Sequence, residues 1–261
     1  MSVVQSDSYK SNYDHLINCS IREYDLSKAN IGVLFSLGVL DEEQYLSYAN
    51  SPKKERVVEI GCYFKFNPDM VIAYREKLKQ IRLQFVEVNQ IQDHQILYVD
   101  RDSITVIDPL VGDVNRVTNF GTHLDFKVKN VYTSYYKLGP IDFLYSSIQS
   151  TYRVKYGGEK VVQNHTNGFI DFLVSVAKQA ETNVYEALMM VKDTYEAYTK
   201  LQLDINYYRE FNQQSQFKLL PGLAFTYYTQ VSPNDINLVD ISYNANLMRD
   251  LIRYLSKEYF K

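Results

Sequence analysis

Two hydrophobic periods alternate along the chain, and the clearest is helical. Met70, Ala73, Tyr74, Leu78, Ile81, Phe85 and Val88 fall on one face at a spacing of three and four, while Arg75, Lys77, Lys79 and Arg82 lie off it. Asn67-Pro68-Asp69 supplies the start signal for that helix. Ser51-Pro52 predicts an earlier one, with Ser as cap, Pro at the first helical position, and Lys53, Lys54 and Arg56 on its exposed side. Asp41-Glu42-Glu43 opens another with acid in its first turn, which complements the helix dipole. Within Ser27 to Leu37, the residues Ile31, Leu34 and Phe35 mark a short buried helix.

The strand period appears elsewhere. Ile21 to Tyr24 reads as a strand leading into Asp25, and Gln95 to Asp108 reads as two strands joined by the turn Asp100-Arg101-Asp102. Gly112-Asp113 and Phe120-Gly121 are turn signals ahead of an alternating run from His123 to Val128, and strand and turn signals continue to Gly157-Gly158. Helices then take over: Asn167 to Lys178, Asn183 to Leu201 capped by Thr182-Asn183, and a Tyr-rich piece around Asn206 to Phe211. Pro221-Gly222 breaks this region, Leu223 to Val231 and Leu238 to Ser242 read as strands, and Asn246 to Tyr259 reads as a final amphipathic helix. The first twenty residues are polar and are expected to fray. The pattern predicts an α+β fold: an antiparallel sheet with packed helices over residues 1–161, then a mostly helical part with a short strand pair over 162–261.

Composition narrows the function. The 261 residues are 46% hydrophobic, enough for a substantial core. A formal net charge of −3 gives no global basic field, so any nucleic-acid binding must rest on local patches. Cys19 and Cys62 form neither a disulfide framework nor a zinc spacing. No leader and no apolar run of about 20 residues is visible, so the expectation is a cytoplasmic protein with no membrane partner. His15, His94, His123 and His165 are scattered, and no Ser-His-Asp or Cys-His signature, GxGxxG or P-loop occurs.

The chemistry lies in three carboxylates. Asp25 ends a strand, and Asp100 and Asp102 lie in a hairpin turn. If those strands share a sheet, the carboxylates gather at one edge and repel without cations. Carboxylate oxygens are the ligands that Mg²⁺ and Mn²⁺ prefer, and two such ions activate a hydroxyl and hold a leaving pyrophosphate. Asp25 has an ordinary alternative use as a helix N-cap, and Asp100 and Asp102 as turn residues.

At these residues the chain resembles the palm of template-dependent nucleic-acid polymerases. Asp25-Leu-Ser-Lys-Ala-Asn-Ile-Gly-Val-Leu34 is similar to the first catalytic motif of family A DNA polymerases in its Asp, Ser, Val and Leu, and more loosely to that of family B. Tyr98-Val-Asp-Arg-Asp-Ser103 is similar to the family B hairpin motif Tyr-Gly-Asp-Thr-Asp-Ser, and both families point to the pair Asp25 and Asp102. Lys127-Val-Lys129-Asn130-Val-Tyr132 is similar to the Lys-x-Tyr element that contacts primer and template. The resemblance implies a palm-like sheet, a helical second part in the place of the thumb, Mg²⁺ or Mn²⁺ on Asp25, Asp100 and Asp102, and nucleoside triphosphate and primed template as ligands. Lys54, Arg56, Lys127, Lys129 and Tyr132 would bind phosphate or nucleic acid, with Tyr135 and Tyr136 available to stack on bases. Its brevity suggests a phage or other viral source.

Departures from the families define the alternatives. Asn30 stands where they carry a bulky Tyr or a Glu that screens the incoming sugar, and no full finger motif is present. A second reading is therefore a catalytically silent palm-like subunit that binds nucleic acid or a partner in a replication or transcription complex. A third is a metal-dependent glycosyltransferase using Asp100 and Asp102 as its Asp-x-Asp, which requires a nucleotide fold in residues 1–95.

Overall fold

The computed structural model describes residues 2–108, 114–139, 141–156, 167–200, 202–204, 207, 210–211, 217–218 and 238–261. Two compact units divide the chain. The first comprises Met1–Asn12 and Cys19–Val131, the second Tyr13–Asn18 and Tyr132–Lys261. Both combine antiparallel strands with helices, which makes the fold α+β with a helical C-terminal part.

The first unit is built on a five-stranded sheet of order β1 (Ser8–Lys10), β4 (Ile96–Asp100), β5 (Ser103–Asp108), β3 (Ser20–Leu26), β6 (Phe126–Tyr132). Strand β5 runs antiparallel to both β4 and β3, with Ser103 opposite Asp100 on one side and Asp25 on the other. The interval between β3 and β4 is helical: α1 (Ala29–Ser36), α2 (Glu42–Asn50), α3 (Lys53–Phe66) and α4 (Pro68–Val88).

Local chemistry explains the helix boundaries. Asp41 accepts from the Gln44 backbone while the Gln44 side chain returns to the Asp41 N–H, a reciprocal capping box. Pro68 occupies the first position of α4, where its missing donor costs nothing. Pro52, by contrast, sits one place earlier as the cap of α3, because Ser51 is used to end α2.

One face of the sheet is dry. Tyr24, Leu26, Val99, Ile104 and Val106 pack with Leu78, Ile81 and Phe85 of α4, and Phe85 meets Tyr24 and Phe126 at ring distances of 5.0 and 4.6 Å. Neighbouring strand residues point to opposite faces, so burying Tyr24 and Leu26 turns Asp25 away from this core. Val88, assigned to the same helical face by spacing, is exposed at the end of α4. Arg82, read from spacing as off that face, is instead fully buried.

In the second unit β2 (His15–Leu16), β7 (Ser134–Leu138), β8 (Ile141–Ser146) and β9 (Thr151–Tyr156) form an antiparallel sheet in that order. The helices are α5 (Asn167–Thr182), α6 (Val184–Thr199) and α7 (Leu238–Tyr259), with Asn183 capping α6 through the Glu186 N–H. Tyr136, Phe143, Leu173, Val191, Met248 and Leu255 share its core. His15 stacks on Tyr254 at 5.1 Å and lies 3.1 Å from Glu258, which anchors the short β2 against α7.

Several expectations change. The N-terminal stretch expected to fray contributes β1 and β2: its backbone groups are taken up by sheet edges, and strands of two or three residues are too short to display a period. Leu238 to Ser242, read as a strand, opens α7, because Leu238, Ile241, Ala245, Met248 and Ile252 continue one helical spacing. Glu210–Phe211, read as part of a helical piece, forms strand β10 paired with β11 (Phe217–Lys218). The boundary at 161/162, the turn signals Gly112-Asp113, Gly157-Gly158 and Pro221-Gly222, and the strand Leu223 to Val231 lie outside the described residues.

Candidate functional site

The hairpin between β4 and β5 closes in two residues. Asp100 and Ser103 face each other, so only Arg101 and Asp102 make the bend, and Arg101 adopts a left-handed φ of 48°. The Ser103 hydroxyl donates to the Asp100 carbonyl at 3.1 Å. On the other side, the Leu26 N–H donates to the Asp102 carbonyl at 3.0 Å, which ties the residue after Asp25 to the turn. Asp25, Asp100 and Asp102 thus collect at one end of the sheet, from one strand end and one turn.

Their electrostatics follow from that crowding. Burial pushes the Asp102 carboxyl above its ordinary value, and the charges of Asp25 and Asp100 push it further, with Lys129 opposing. Lys129, on β6, places its ammonium 3.4 Å from an Asp25 oxygen. Tyr74 of α4 also senses the cluster: burial raises its phenol first, and Asp102 adds to the shift.

A cleft of about 970 Å³ opens over the three acids, all of which line it. Helices α3 and α4 also line it, through Lys53, Arg56, Phe64, Tyr74 and Arg75. Six basic side chains line the cleft against four acidic ones, so it suits a polyanion more than a bare cation. Arg56 is 8% exposed and donates to the Tyr48 carbonyl at 3.2 Å, yet its buried Nε has no partner among the described residues. Such orphan donors are rare in folded proteins. Asn30 also lines the cleft, but its Oδ1 accepts the neighbouring Ile31 N–H at 3.0 Å.

The sequence-derived residues divide into two groups. Asp25, Asp100, Asp102 and Arg56 are brought together, and Lys129 reaches the cluster through Asp25. Arg56 is buried rather than on an exposed helix side, because the first turn of α3 packs toward Tyr48. Lys54 and Lys127 are exposed and do not line the cleft. Tyr132, Tyr135 and Tyr136 are buried, so their rings serve packing and are not offered to a nucleic-acid base. Arg75 and Arg82 join the cleft although sequence reading gave neither a site role, and Lys53, read as a phosphate contact beside Lys54 and Arg56, lines it as well.

The donor set fits Mg²⁺ or Mn²⁺ in chemistry, being hard carboxylate oxygen. Among the described residues, no group of three or more His, Cys, Asp or Glu side chains closes around one ion. Two carboxylates would then hold an ion whose other ligands are water and phosphate oxygens, the usual way protein sites hold Mg²⁺. Among the described residues no helix is long and apolar enough to cross a membrane.

Comparison with curated proteins finds no match for the chain. A family model does match, over residues 3–257, which is nearly the whole chain and spans both units. The chain belongs to the family described as Bacteriophage PBS1 gene 130 protein, a family of phage proteins.

Proposed function

We propose that the cleft of the first unit is a compact, palm-like nucleotidyltransferase site acting on nucleic acid in the cytoplasm of the phage host. The observation that carries this reading is the pairing of an acidic floor, Asp25, Asp100 and Asp102, with a basic wall, Lys53, Arg56 and Arg75, in one cleft. Nucleoside triphosphates bound with Mg²⁺ present both signs of charge, and this arrangement meets both. Asp25 and Asp102 would hold the metal, which when bound supplies an activated 3′ hydroxyl and charge neutralisation at the leaving pyrophosphate. Arg56 would fix the phosphates from the cleft wall, and Phe64 and Tyr74 offer apolar surface to a base. Helices α3 and α4 would do the work of fingers in a much shorter interval.

The experiment is extension of a labelled primer on DNA and RNA templates by the full chain, with each nucleotide type and with Mg²⁺ or Mn²⁺. Extension that disappears with Asp25→Asn and with Asp102→Asn supports the reading. Absence of extension by a folded wild-type chain that also binds no nucleoside triphosphate overturns it.

One observation favours a second reading, a catalytically silent subunit of a replication or transcription complex. Lys129 already places a cation against Asp25. In that case Asp25→Ala and Asp102→Ala would leave nucleic-acid or partner binding intact.

A further inference from the structure

We propose that Arg82 is the positioning residue of the acidic turn: it holds Asp102 near the end of the Asp25 strand by gripping the backbone, without touching a ligand's reacting atoms. What the turn does rests on the nucleotidyltransferase reading above, whereas the grip itself does not.

Arg82 interrupts an apolar stripe. Its neighbours on α4, Leu78, Ile81 and Phe85, belong to the core, and Arg82 is 2% exposed among them. A guanidinium so buried is costly unless its donors are used. Here Nε donates to the Val4 carbonyl at 3.0 Å, Nη2 to the Ser6 carbonyl at 2.7 Å, and Nη1 to the Arg101 carbonyl. All three acceptors are backbone groups, so the planar fork acts as a template for chain path, a role lysine cannot copy.

The Arg101 carbonyl belongs to the peptide that carries Asp102. Arg101 also sits at a φ of 48°, a conformation that non-glycine residues hold only when their surroundings impose it. From the opposite side, its N–H donates to the Asp7 carbonyl at 3.2 Å. Ser6 and Asp7 lead into β1, whose Ser8 pairs with Asp100. Arg82 therefore fastens together the incoming edge segment and the turn, and the Leu26 bond to the Asp102 carbonyl completes the frame.

The test compares the full-length wild type with Arg82→Lys and Arg82→Gln, at a temperature where circular dichroism shows all three folded. Hydrogen exchange is read at the amides of Leu26 and Arg101 against those of Ile104 and Val106, and Mn²⁺ binding is read by electron paramagnetic resonance. Exchange at Leu26 and Arg101 should rise about tenfold in both variants, the size expected from losing a charged hydrogen bond, while Ile104 and Val106 keep their protection. Mn²⁺ affinity should fall in both, with lysine giving no rescue. Uniform acceleration across all four amides, or wild-type exchange in a folded Arg82→Lys protein, would overturn the assignment. If either variant fails to fold, the other decides alone. Wild type that binds no Mn²⁺ while both variants show the selective exchange change would sink the functional reading and leave the grip of Arg82 standing.

Discussion

The Lys129 ammonium lies 3.4 Å from an Asp25 carboxylate oxygen, so a residue of β6 supplies positive charge to an acid of β3. Both side chains are substantially exposed, and a pair of this kind contributes under about 1 kcal/mol to folding. Its larger effect is on what else can bind. A cation at Asp25 must share that carboxylate with Lys129, so Lys129→Met should tighten Mn²⁺ binding, by about fivefold at most. Titration by electron paramagnetic resonance measures this; unchanged or weaker binding would assign Lys129 to the ligand instead.

Asp102 sets a pH dependence. Its folded carboxyl is raised by burial and then by Asp25 and Asp100, so the folded state favours the protonated form. The stabilising contribution is therefore present below the unfolded pKa and is lost as pH rises through the folded one. Asp102→Asn should melt higher than wild type at neutral pH, and the difference should shrink as acid protonates the native residue. Thermal melts from neutral to mildly acidic pH check the sign.

Arg56 and Lys54 sit two residues apart on α3, yet only Arg56 lines the cleft. Replacing Arg56 with methionine should weaken a non-hydrolysable nucleoside triphosphate by about tenfold, as losing a hydrogen bond to a charged group does. Lys54→Met should leave binding unchanged. Isothermal calorimetry on the two variants separates a cleft contact from a general charge effect.

Gly32 tests the packing beneath the site. A Cβ there would lie 2.5 Å from the His123 carbonyl oxygen, a backbone atom. That segment has little freedom to retreat, because the His123 ring stacks on Tyr45 at 3.6 Å and its Nε2 lies 3.1 Å from Glu42. Gly32→Ala should lower stability by about 1–3 kcal/mol in chemical denaturation, the range for overpacking a tight contact.

Much of this geometry was legible in the chain. The helix from Pro68, the hairpin flanking Asp100 to Asp102 and the strand into Asp25 each carry strong local signals, namely a start motif, a period and a turn composition. Adjacency of β3 to β5 followed only as a wager, since no local signal states which strands pair. The basic wall was harder still. Arg56 and Lys54 look alike in sequence, and only the packing of α3 buries one and exposes the other. Arg82 was misread because a charged residue is presumed to face water; its value lies in backbone acceptors at Val4, Ser6 and Arg101, which leave no mark in a hydropathy pattern. Tyr132, Tyr135 and Tyr136 failed in the opposite sense: aromatics beside lysines look like a stacking surface until burial is known.

A nucleotidyltransferase site here requires that Asp25 and Asp102, joined through the Leu26 to Asp102 bond, serve one ion. Electron paramagnetic resonance of Mn²⁺ added to the wild type, Asp25→Asn, Asp102→Asn and the double variant addresses this directly. Wild type should bind, more tightly with a non-hydrolysable nucleoside triphosphate, and either single variant should lose nearly all binding with no further loss in the double. Independent, additive losses from the two substitutions, or wild-type binding in both, would contradict a shared ion.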